Sequence, residues 1–490
     1  MSSDLHWQDA TEISRRIRGR EIAASEVLEH FLARIERLNP VLNCVVAIDK
    51  AAARTRAAEA DAAIARGEIW GPLHGVPMTI KDTIEVAGLP CTAGSEILKD
   101  HIPTRHATAV QSLVDAGAVI FGKTNVPEFG ADLQTINKVY GTTGNAWNPE
   151  RLAGGSSGGA AVSLAAGLTA LELGSDIGGS TRNPAHYNSI FGMRPTWGTI
   201  PIRGHIPGMP GSLVIDEFGT LGPLARSARD LRLAFDIVRG GEPMFGYAGK
   251  PALPESPITD VGQLRVGVWL EGPSVAAMDT EVLAILNAAV DKLRYAGVKQ
   301  LEFSKPDFDP LQAYLTYIRI GAAVTGSGTP PEQREEMRKE LATLERAADA
   351  GDSYLHRLRG VLSTYADFVH DSQLRGENRV KWNEYFQQYD VVLSPVMGVA
   401  ALPHGENFFR RTITVNGKQS SGRDQLFWCA LQVLASLPSV VCPAGFTKEG
   451  LPVGIQITAP YLQDYRPIRV AELFAPILGA DGRHPRYPCD

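Results

Sequence analysis

Residues 152–182 read Leu-Ala-Gly-Gly-Ser-Ser-Gly-Gly-Ala-Ala-Val-Ser-Leu-Ala-Ala-Gly-Leu-Thr-Ala-Leu-Glu-Leu-Gly-Ser-Asp-Ile-Gly-Gly-Ser-Thr-Arg, and this segment decides the fold. Before its final arginine the only charged residues are Glu172 and Asp176. The small residues from Ser157 to Ala166 predict a short helix, and 171–173 predicts a strand that enters a glycine turn. A glycine-rich segment with so few charged side chains is typical of a catalytic or binding site.

Strands and helices alternate outward from this segment. Residues 76–81 predict a strand, with Thr79 and Lys81 on the face opposite Val76, Met78 and Ile80. Further strands are predicted at 118–121, 264–269, 298–303, 390–393 and 439–441. Helices between such strands indicate an α/β fold with a mostly parallel or mixed sheet. The absence of repeats or linkers favours one continuous domain.

Local signals also predict particular helices. Ser25 is expected to cap a helix that Asn39-Pro40 ends, and Asp49 to open an alanine-rich helix. The charged stretch 331–350 predicts a solvated helix. The uncharged run 426–446 is long enough to span a bilayer, but its prolines and polar residues favour a buried helix, turn and strand.

Composition excludes several classes of protein. Of 490 residues, 44% are hydrophobic and 21% charged, which excludes a disordered chain. The net charge of −6 argues against a nucleic-acid or anionic-membrane binder. The cysteines are few, odd in number and without a CxxC pair, so neither a disulfide framework nor a zinc ribbon is expected. With no apolar signal segment visible at the start, a cytoplasmic location is expected.

Residues 117–124 match the nucleotide-binding P-loop pattern G-x-x-x-x-G-K-[ST]. A P-loop needs its central residues in a loop that cradles phosphate, with a helix opening at the lysine. Here the four central residues are Ala, Val, Ile and Phe, which are typical of a strand, and Asn125-Val126-Pro127 is a poor helix opening. The match is therefore interpreted as a buried strand.

The glycine turn suggests a nucleophilic serine. Ser180 follows two glycines, and the N–H groups of Ile177, Gly178 and Gly179 could form an oxyanion hole. Asp176 and Arg182 flank the turn and could pair to hold its shape. Upstream, the loop 154–159 contains Ser156 and Ser157 between glycine pairs.

Such a serine needs a base. His74, His186 and His205 lie near the motifs, but none sits in a recognisable signature. Lys81 is the other candidate, because burial lowers a lysine pKa and lets the neutral amine accept a proton. In isolation, Lys81 also fits a surface lysine before a turn.

Taken together, these motifs resemble the amidase signature family of serine hydrolases. The matching segments run through most of the chain: 75–82, 122–125, 148–149, 154–159, 174–182, 194–198, 222–226 and 450–456. The separations of 75 residues from Lys81 to Ser156 and 24 from Ser156 to Ser180 also fit the family pattern.

The resemblance implies a Ser–cis-Ser–Lys triad. By position, Ser180 corresponds to the acyl-forming nucleophile, Ser156 to the serine held in a cis peptide, and Lys81 to the base. The N–H groups of Ile177, Gly178, Gly179 and Ser180 correspond to the oxyanion hole. Supporting positions are Ser157, Asp176 and Arg182. No metal or other cofactor is implied.

The resemblance also implies a single large domain over 1–490, with a mixed sheet of about eleven strands flanked by helices on both faces. Within it we expect N-terminal helices (1–70), a catalytic core (71–240), a variable pocket and lid region (241–420) and a return to the core (421–490). A homodimer is a family-level expectation. Thr181 and Arg194 depart from the family, which often has Ile or Val and usually Lys there.

The expected function is hydrolysis of a small carboxylic acid amide with water, without nucleic acid or membrane as partner. A carbamate or ester hydrolase with the same triad is the alternative. An amidotransferase A-type subunit is disfavoured because Val126-Pro127-Glu128-Phe129 replaces its usual Met-Asp-Glu-Phe. Pocket walls are expected in 134–147, 186–210 and 314–329, and the apolar pocket candidates are Ile136, Tyr140, Ile206, Met209 and Ile318.

Overall fold

The computed structural model describes residues 5–206, 209–246, 249–346, 351–480 and 483–485. Its strands in chain order are β1 (Val45–Ile48), β2 (Pro77–Lys81), β3 (Val119–Thr124), β4 (Ile136–Asn137), β5 (Gly141–Thr142), β6 (Glu172–Asp176), β7 (Phe191–Arg194), β8 (Thr220–Ala225), β9 (Arg265–Val268), β10 (Gln300–Phe303), β11 (Val391–Pro395), β12 (Thr412–Val415), β13 (Lys418–Ser421), β14 (Ser439–Phe446) and β15 (Pro452–Thr458).

The α-helices among the described residues are α1 (Ala10–Arg18), α2 (Ala24–Leu42), α3 (Lys50–Ala65), α4 (Thr108–Asp115), α5 (Gly158–Ala165), α6 (Arg182–Asn188), α7 (Ala228–Val238), α8 (Thr280–Tyr295), α9 (Pro310–Thr325), α10 (Pro331–Leu344), α11 (Ser353–Val361), α12 (Tyr365–Tyr385), α13 (Phe427–Ala435) and α14 (Tyr465–Leu478).

Eleven strands form one sheet in the order β1-β3-β2-β6-β8-β7-β14-β15-β11-β9-β10. Strand β2 runs parallel to β3 and β6, and β9 runs parallel to β10 and β11, whereas the other neighbours are antiparallel. The predicted mixed sheet in an α/β fold is confirmed. The internal divisions at 70, 240 and 420 stay a prediction.

Helices cover both faces of this sheet. Every residue of β2, β6, β7, β8, β11 and β15 is buried. Because successive strand residues point to opposite faces, a strand with no exposed residue has packing on both sides. Strand β6, which leads into the glycine turn, therefore lies in the interior, away from water.

Two predicted helix boundaries near the N-terminus were wrong. Helix α2 begins at Ala24, and the Asp61 carboxylate accepts the N–H groups of Ala24 and Ser25, so Ser25 is not the cap. Pro40 lies inside the last turn, and the helix ends where Asn43 adopts a left-handed conformation. A proline removes only its own N–H, and the final turn tolerates that loss. The prediction for Asp49 is confirmed, since its side chain accepts Ala52 N–H.

The two ambiguous segments also have clear structures. The uncharged run 426–446 forms α13, a turn and β14, as predicted, and all of α13 is buried. No helix among the described residues is long and apolar enough to cross a membrane. Helix α10 buries none of its residues, which confirms a solvated face; the end of the predicted stretch, 347–350, lies outside the described residues.

Candidate active site

Lys81 is the last residue of β2 and is fully buried. Its Nζ donates to Ser156 Oγ at 2.7 Å and to Ser175 Oγ at 2.9 Å. Burial lowers the pKa of Lys81 to about 7, although the charges of Asp176 and Glu172 act in the opposite direction. A lysine with this pKa is largely neutral slightly above pH 7, so it can accept a proton.

Ser156 lies in the loop before α5, and its peptide bond with Gly155 is cis. The loop is tied to α6, because Asn183 Oδ1 accepts Gly155 N–H at 2.9 Å. Glycine is required nearby at Gly130, where the backbone has φ +68° and a Cβ would lie 3.2 Å from Ser156 Oγ. The loop therefore presents the Ser156 hydroxyl between Lys81 and open space.

Ser180 follows β6 at the end of the glycine turn and is 5% exposed. Its carbonyl accepts Ser157 N–H at 3.1 Å, which joins the two serine loops. Ser180 lines the same cavity as Lys81 and Ser156. The structure thus brings together the three residues that the sequence analysis assigned to a triad.

The turn offers three backbone N–H groups to an oxyanion. Within the described residues, the N–H groups of Ile177, Gly178 and Ser180 have no acceptor in the protein. The structure differs from the prediction at Gly179, whose N–H donates to Asp176 Oδ1 at 2.8 Å. Three of the four predicted donors are therefore unpaired, the fourth donates to Asp176, and the assignment of these groups to an oxyanion hole stays a prediction.

Asp176 holds the turn from behind. Arg182 donates to it through Nε at 3.0 Å and Nη2 at 2.9 Å, as the sequence predicted for this pair. Arg194 donates to its carbonyl at 2.6 Å, and Thr181 donates to Oδ2. Burial opposes ionisation, but the two guanidinium groups outweigh it and hold the pKa of Asp176 well below its usual range. Both positions that depart from the family pattern thus brace this carboxylate.

The opposite side of the turn packs against α9 and α13. Tyr317 donates its hydroxyl to Ile177 O at 3.1 Å, and a Cβ at Gly178 would lie 2.6 Å from that hydroxyl. Gly179 has φ +101°, and a Cβ there would lie 2.7 Å from Cys429 Sγ. The two glycines let the backbone approach these side chains closely, which side chains at either position would prevent.

One cavity connects these groups. It has about 340 Å³ of space, including its opening, and its lining residues are Lys81, Thr83, Phe129, Gly130, Ser156, Ser175, Asp176, Ile177, Ser180, His205, Ile206, Asp216, Gly219 and Thr220. Sequence reasoning missed several of these, among them Ser175, whose position five residues before Ser180 on a strand was the available signal.

The predicted pocket residues are mostly elsewhere. Ile206 lines the cavity, but Ile136, Tyr140, Met209 and Ile318 do not border it. Met209 is exposed, and Ile318 is buried in the core. No residue of the predicted wall segment 314–329 lines the cavity, although Tyr317 on α9 contacts the turn through Ile177 O.

The histidines divide into two groups. His74 accepts Trp70 N–H and contacts Ala60 O, and His186 contacts the backbone of Val399 and Gly454. Neither lines the cavity. His205 does, and burial together with the charge of Lys81 lowers its pKa to about 3, so it is neutral. Among the described residues, none of these three histidines forms the hydrogen bond to a carboxylate that would orient a histidine base.

Lys123 of the P-loop pattern lies on β3, which confirms the strand interpretation. Its Nζ is buried and contacts Asp82 Oδ1 at 3.4 Å and Pro90 O at 3.2 Å. Gly122 is needed because a Cβ would lie 2.6 Å from Ala47 O on β1. No group of three or more His, Cys, Asp or Glu side chains within the described ranges is arranged to hold a metal ion.

Comparison with known proteins agrees with this geometry. The Amidase family model matches residues 26–467. An acylamidase from Rhodococcus erythropolis is 32% identical over 96% of this chain and 95% of its own length. The A-type subunit of the glutamyl-tRNA(Gln) amidotransferase from Bdellovibrio bacteriovorus is also 32% identical, over 98% of this chain and 99% of its own.

A solved structure extends the agreement to three dimensions. A bacterial aryl acylamidase of the amidase signature family superposes with a TM-score of 0.79 at 26% identity, covering 97% of both chains. The match therefore includes the sheet, the glycine loops and the surrounding helices. The chain belongs to the amidase signature family and is an enzyme that hydrolyses carbon–nitrogen bonds.

Proposed function

We propose that the protein is an amidohydrolase that cleaves a small carboxylic acid amide through an acyl-Ser180 intermediate. The observation that carries this proposal is the 2.7 Å hydrogen bond from Lys81 Nζ to Ser156 Oγ, inside a cavity that Ser180 also lines. A buried, neutral lysine beside a hydroxyl relay gives the nucleophile a base without a histidine.

The proposed reaction has two halves. Ser180 Oγ attacks the amide carbon while its proton passes to Ser156, and the proton of Ser156 passes to Lys81. The N–H groups of Ile177, Gly178 and Ser180 stabilise the oxyanion. The relay then returns a proton to the nitrogen, the C–N bond breaks and the amine leaves. Water attacks the acyl carbon with the relay again as base, and the bond to Ser180 breaks to release the acid.

The acylation step can be tested directly. Incubation with a fluorophosphonate should add one label, and peptide mapping should locate it on Ser180. A panel of aliphatic and aryl amides, carbamates and esters would then identify the acyl group and separate the amidase from the carbamate and ester alternatives. Labelling of another residue, or no turnover of any compound, would contradict the proposal.

A component of an amidotransferase is the second candidate, favoured by the full-length similarity to the Bdellovibrio bacteriovorus protein. Such a component would work with partner chains and ATP. The test is whether the purified chain by itself hydrolyses amides without ATP. Activity that appears only with a co-purifying partner would favour the amidotransferase. Activity of the isolated chain on the panel favours the free-standing amidase, with no nucleic acid or membrane involved.

A further inference from the structure

Two buried polar atoms in the cavity have no use in the proposed triad. Thr83 Oγ1 and His205 Nε2 are inaccessible to solvent, and neither has a hydrogen-bond partner in the part of the chain that the structure describes. Both residues line the cavity. Buried polar groups are normally paired, so two unpaired ones on the wall of a cavity indicate that a ligand supplies the partner.

The backbone fixes this pair of residues side by side. Ile206 N–H donates to Thr83 O at 2.8 Å, and Glu85 N–H donates to Gly204 O at 2.9 Å. These bonds surround an antiparallel bridge between Ile84 and His205. The segment after β2 and the segment 204–206 thus form one wall; 204–206 lies within the wall segment 186–210 that the sequence analysis expected, whereas its pairing with the segment after β2 was not predicted.

This wall lies on the Lys81 side of the cavity. Ile84 N–H donates to Lys81 O at 3.0 Å, and Ile84 pairs with His205, so the backbone places both wall residues next to Lys81. A neutral imidazole and a hydroxyl offer hydrogen bonds without a counter-charge. They fit an uncharged polar group such as a carboxamide NH₂ or water, and they do not fit an anion.

The position of the groups that protonate the leaving nitrogen determines which part of a substrate lies beside Thr83 and His205. In the proposed mechanism, on which this inference rests, Ser156 and Lys81 deliver a proton to the leaving nitrogen, so that nitrogen must lie on their side of Ser180. The hydrolytic water attacks from the side that the amine vacates, since both form and break a bond to the same carbon.

We propose that Thr83 and His205 form a leaving-group subsite that holds the NH₂ of a primary carboxamide and then the hydrolytic water. They are specificity-determining residues for a small, hydrogen-bonding leaving group. Phe129 and Gly130 line the same cavity, so the leaving group would lie beside an aromatic ring and a bare stretch of backbone.

The test compares three derivatives of one acid: its primary amide, its anilide and its p-nitrophenyl ester. The acid is the one that the wild-type enzyme turns over best in the panel described above. All three form the same acyl-Ser180, so the acyl contacts cancel. Thr83→Val and His205→Leu remove the polar atoms, whereas Thr83→Ser and His205→Gln are matched controls that retain one.

We expect each removal variant to lower kcat/KM for the primary amide by about threefold to tenfold, the value of a typical hydrogen bond. The ester needs no hydrogen bond to its leaving group, so its kcat/KM should not change. Its kcat, limited by attack of water on the acyl-enzyme, should fall. The wild type should prefer the primary amide to the anilide, and the controls should retain most of the amide activity.

Several outcomes would overturn the inference while leaving the proposed function intact. They are an unchanged ratio of amide to ester kcat/KM in folded Thr83→Val and His205→Leu, a wild-type preference for the anilide, and turnover of esters without primary amides. Complete loss of all three activities in His205→Leu, with native circular dichroism, would instead make His205 the base. If the wild type turns over no compound, the proposed function itself fails.

Discussion

A lysine that is fully buried between two serine hydroxyls loses its proton more readily than a lysine in water, because burial disfavours the charged form. Lys81 Nζ contacts Ser156 and Ser175, and its burial disfavours the charged form more strongly than Asp176 and Glu172 favour it. In the proposed mechanism, the base would therefore be available near neutral pH because β2 places the lysine in a buried position.

The pH dependence follows from this group. Activity needs Lys81 without its proton, so kcat/KM should be low at acidic pH, rise through about pH 7 and level off above it. The measurement is kcat/KM for an amide between pH 5 and 10. A profile that is flat across pH 7, or that falls there, would contradict a neutral lysine base.

Substitution of the lysine gives an independent check. Lys81→Ala should lose most amide turnover but less turnover of a p-nitrophenyl ester, whose leaving group needs no proton. Lys81→Arg should not rescue the amide activity, because a guanidinium stays charged and cannot accept a proton. Steady-state rates on both substrates decide this. An alanine variant active on amides, together with an inactive His74 or His186 variant, would favour a histidine base.

The nucleophile should be the most sensitive position. Ser180→Ala removes the covalent route and should lower kcat by several orders of magnitude, about the cost seen when a serine nucleophile is deleted in other hydrolases. The folded state should persist, as checked by circular dichroism, and fluorophosphonate labelling should disappear. If Ser156→Ala were inactive and Ser180→Ala retained a tenth of the activity, the two roles would be reversed.

At this scale the fixed spacing of the motifs selected Lys81, Ser156 and Ser180, and all three line one cavity; their roles as a triad stay a proposal. The sequence could not identify Ser175, Thr83 or Tyr317. Each of these is an ordinary residue in its own segment; the fold brings Ser175 and Thr83 to the cavity and Tyr317 against the glycine turn. Gly179 shows the same limit, since its N–H donates to Asp176 Oδ1, a contact that the sequence pattern did not indicate.

Among the structural elements, the turn between β6 and α6 depends most on its support. Asp176 is fully buried, and two arginines neutralise it. Removal of one partner leaves buried charge that is incompletely compensated. The glycine turn is therefore held in shape by the ion pairs between Asp176 and the two arginines.

Loss of this support should appear as instability. Arg182→Met keeps much of the side-chain volume but removes two hydrogen bonds to Asp176, so we expect a loss of about 3–5 kcal/mol in the free energy of unfolding. Urea denaturation followed by circular dichroism measures it. The exposed Arg338→Met, which removes a surface pair with Glu335, is the control and should change stability very little. Equal stability of the two variants would contradict the buried network.

The contact between the turn and α9 can be tested with a paired variant. Gly178→Ala places a methyl group 2.6 Å from Tyr317 Oη, so it should displace the turn and lower kcat. Tyr317→Phe removes that oxygen, and the double variant should recover part of the lost activity. The values of kcat for the two single variants and the double variant give the coupling energy between positions 178 and 317. Additive losses without recovery would show that the clash is not the cause.

Elements were more predictable than their ends. The strand pattern identified β2, β3 and β6, because alternation and composition act locally. The end of α2 could not be read, because Asp61 on α3 supplies its cap and Pro40 is tolerated in its last turn. Contacts between elements decided both boundaries.

For the molecule as a whole, the fold was accessible from sequence and the substrate was not. The sheet follows from a long chain of local signals together with the family resemblance. The cavity wall instead combines short pieces at 129–130, 205–206 and 216–220, which are too short to show a periodic pattern. Apolar composition alone selected Ile136 and Met209, which do not reach the cavity.

The complete chain should work without a metal or a nucleotide. The proposed relay moves protons through Lys81 and two serines. Lys123 of the P-loop pattern forms a buried ion pair with Asp82. Dialysis against EDTA, and addition of ATP, should leave amide turnover unchanged. Loss of activity on chelation that zinc restores would contradict a mechanism of serines and lysine alone.

The order of the strands has a consequence for how the protein is made. Strands β14 and β15, which begin at Ser439 and Pro452, lie between β7 and β11 in the middle of the sheet. Until the ribosome has released this last part of the chain, β7 and β11 each present an unpaired edge, a known route to aggregation. A nascent chain stopped before Ser439 should therefore need chaperones to stay in solution. The residues that line the cavity all precede β14 in the chain, so the sheet that holds them is completed only after every one of them has been synthesised.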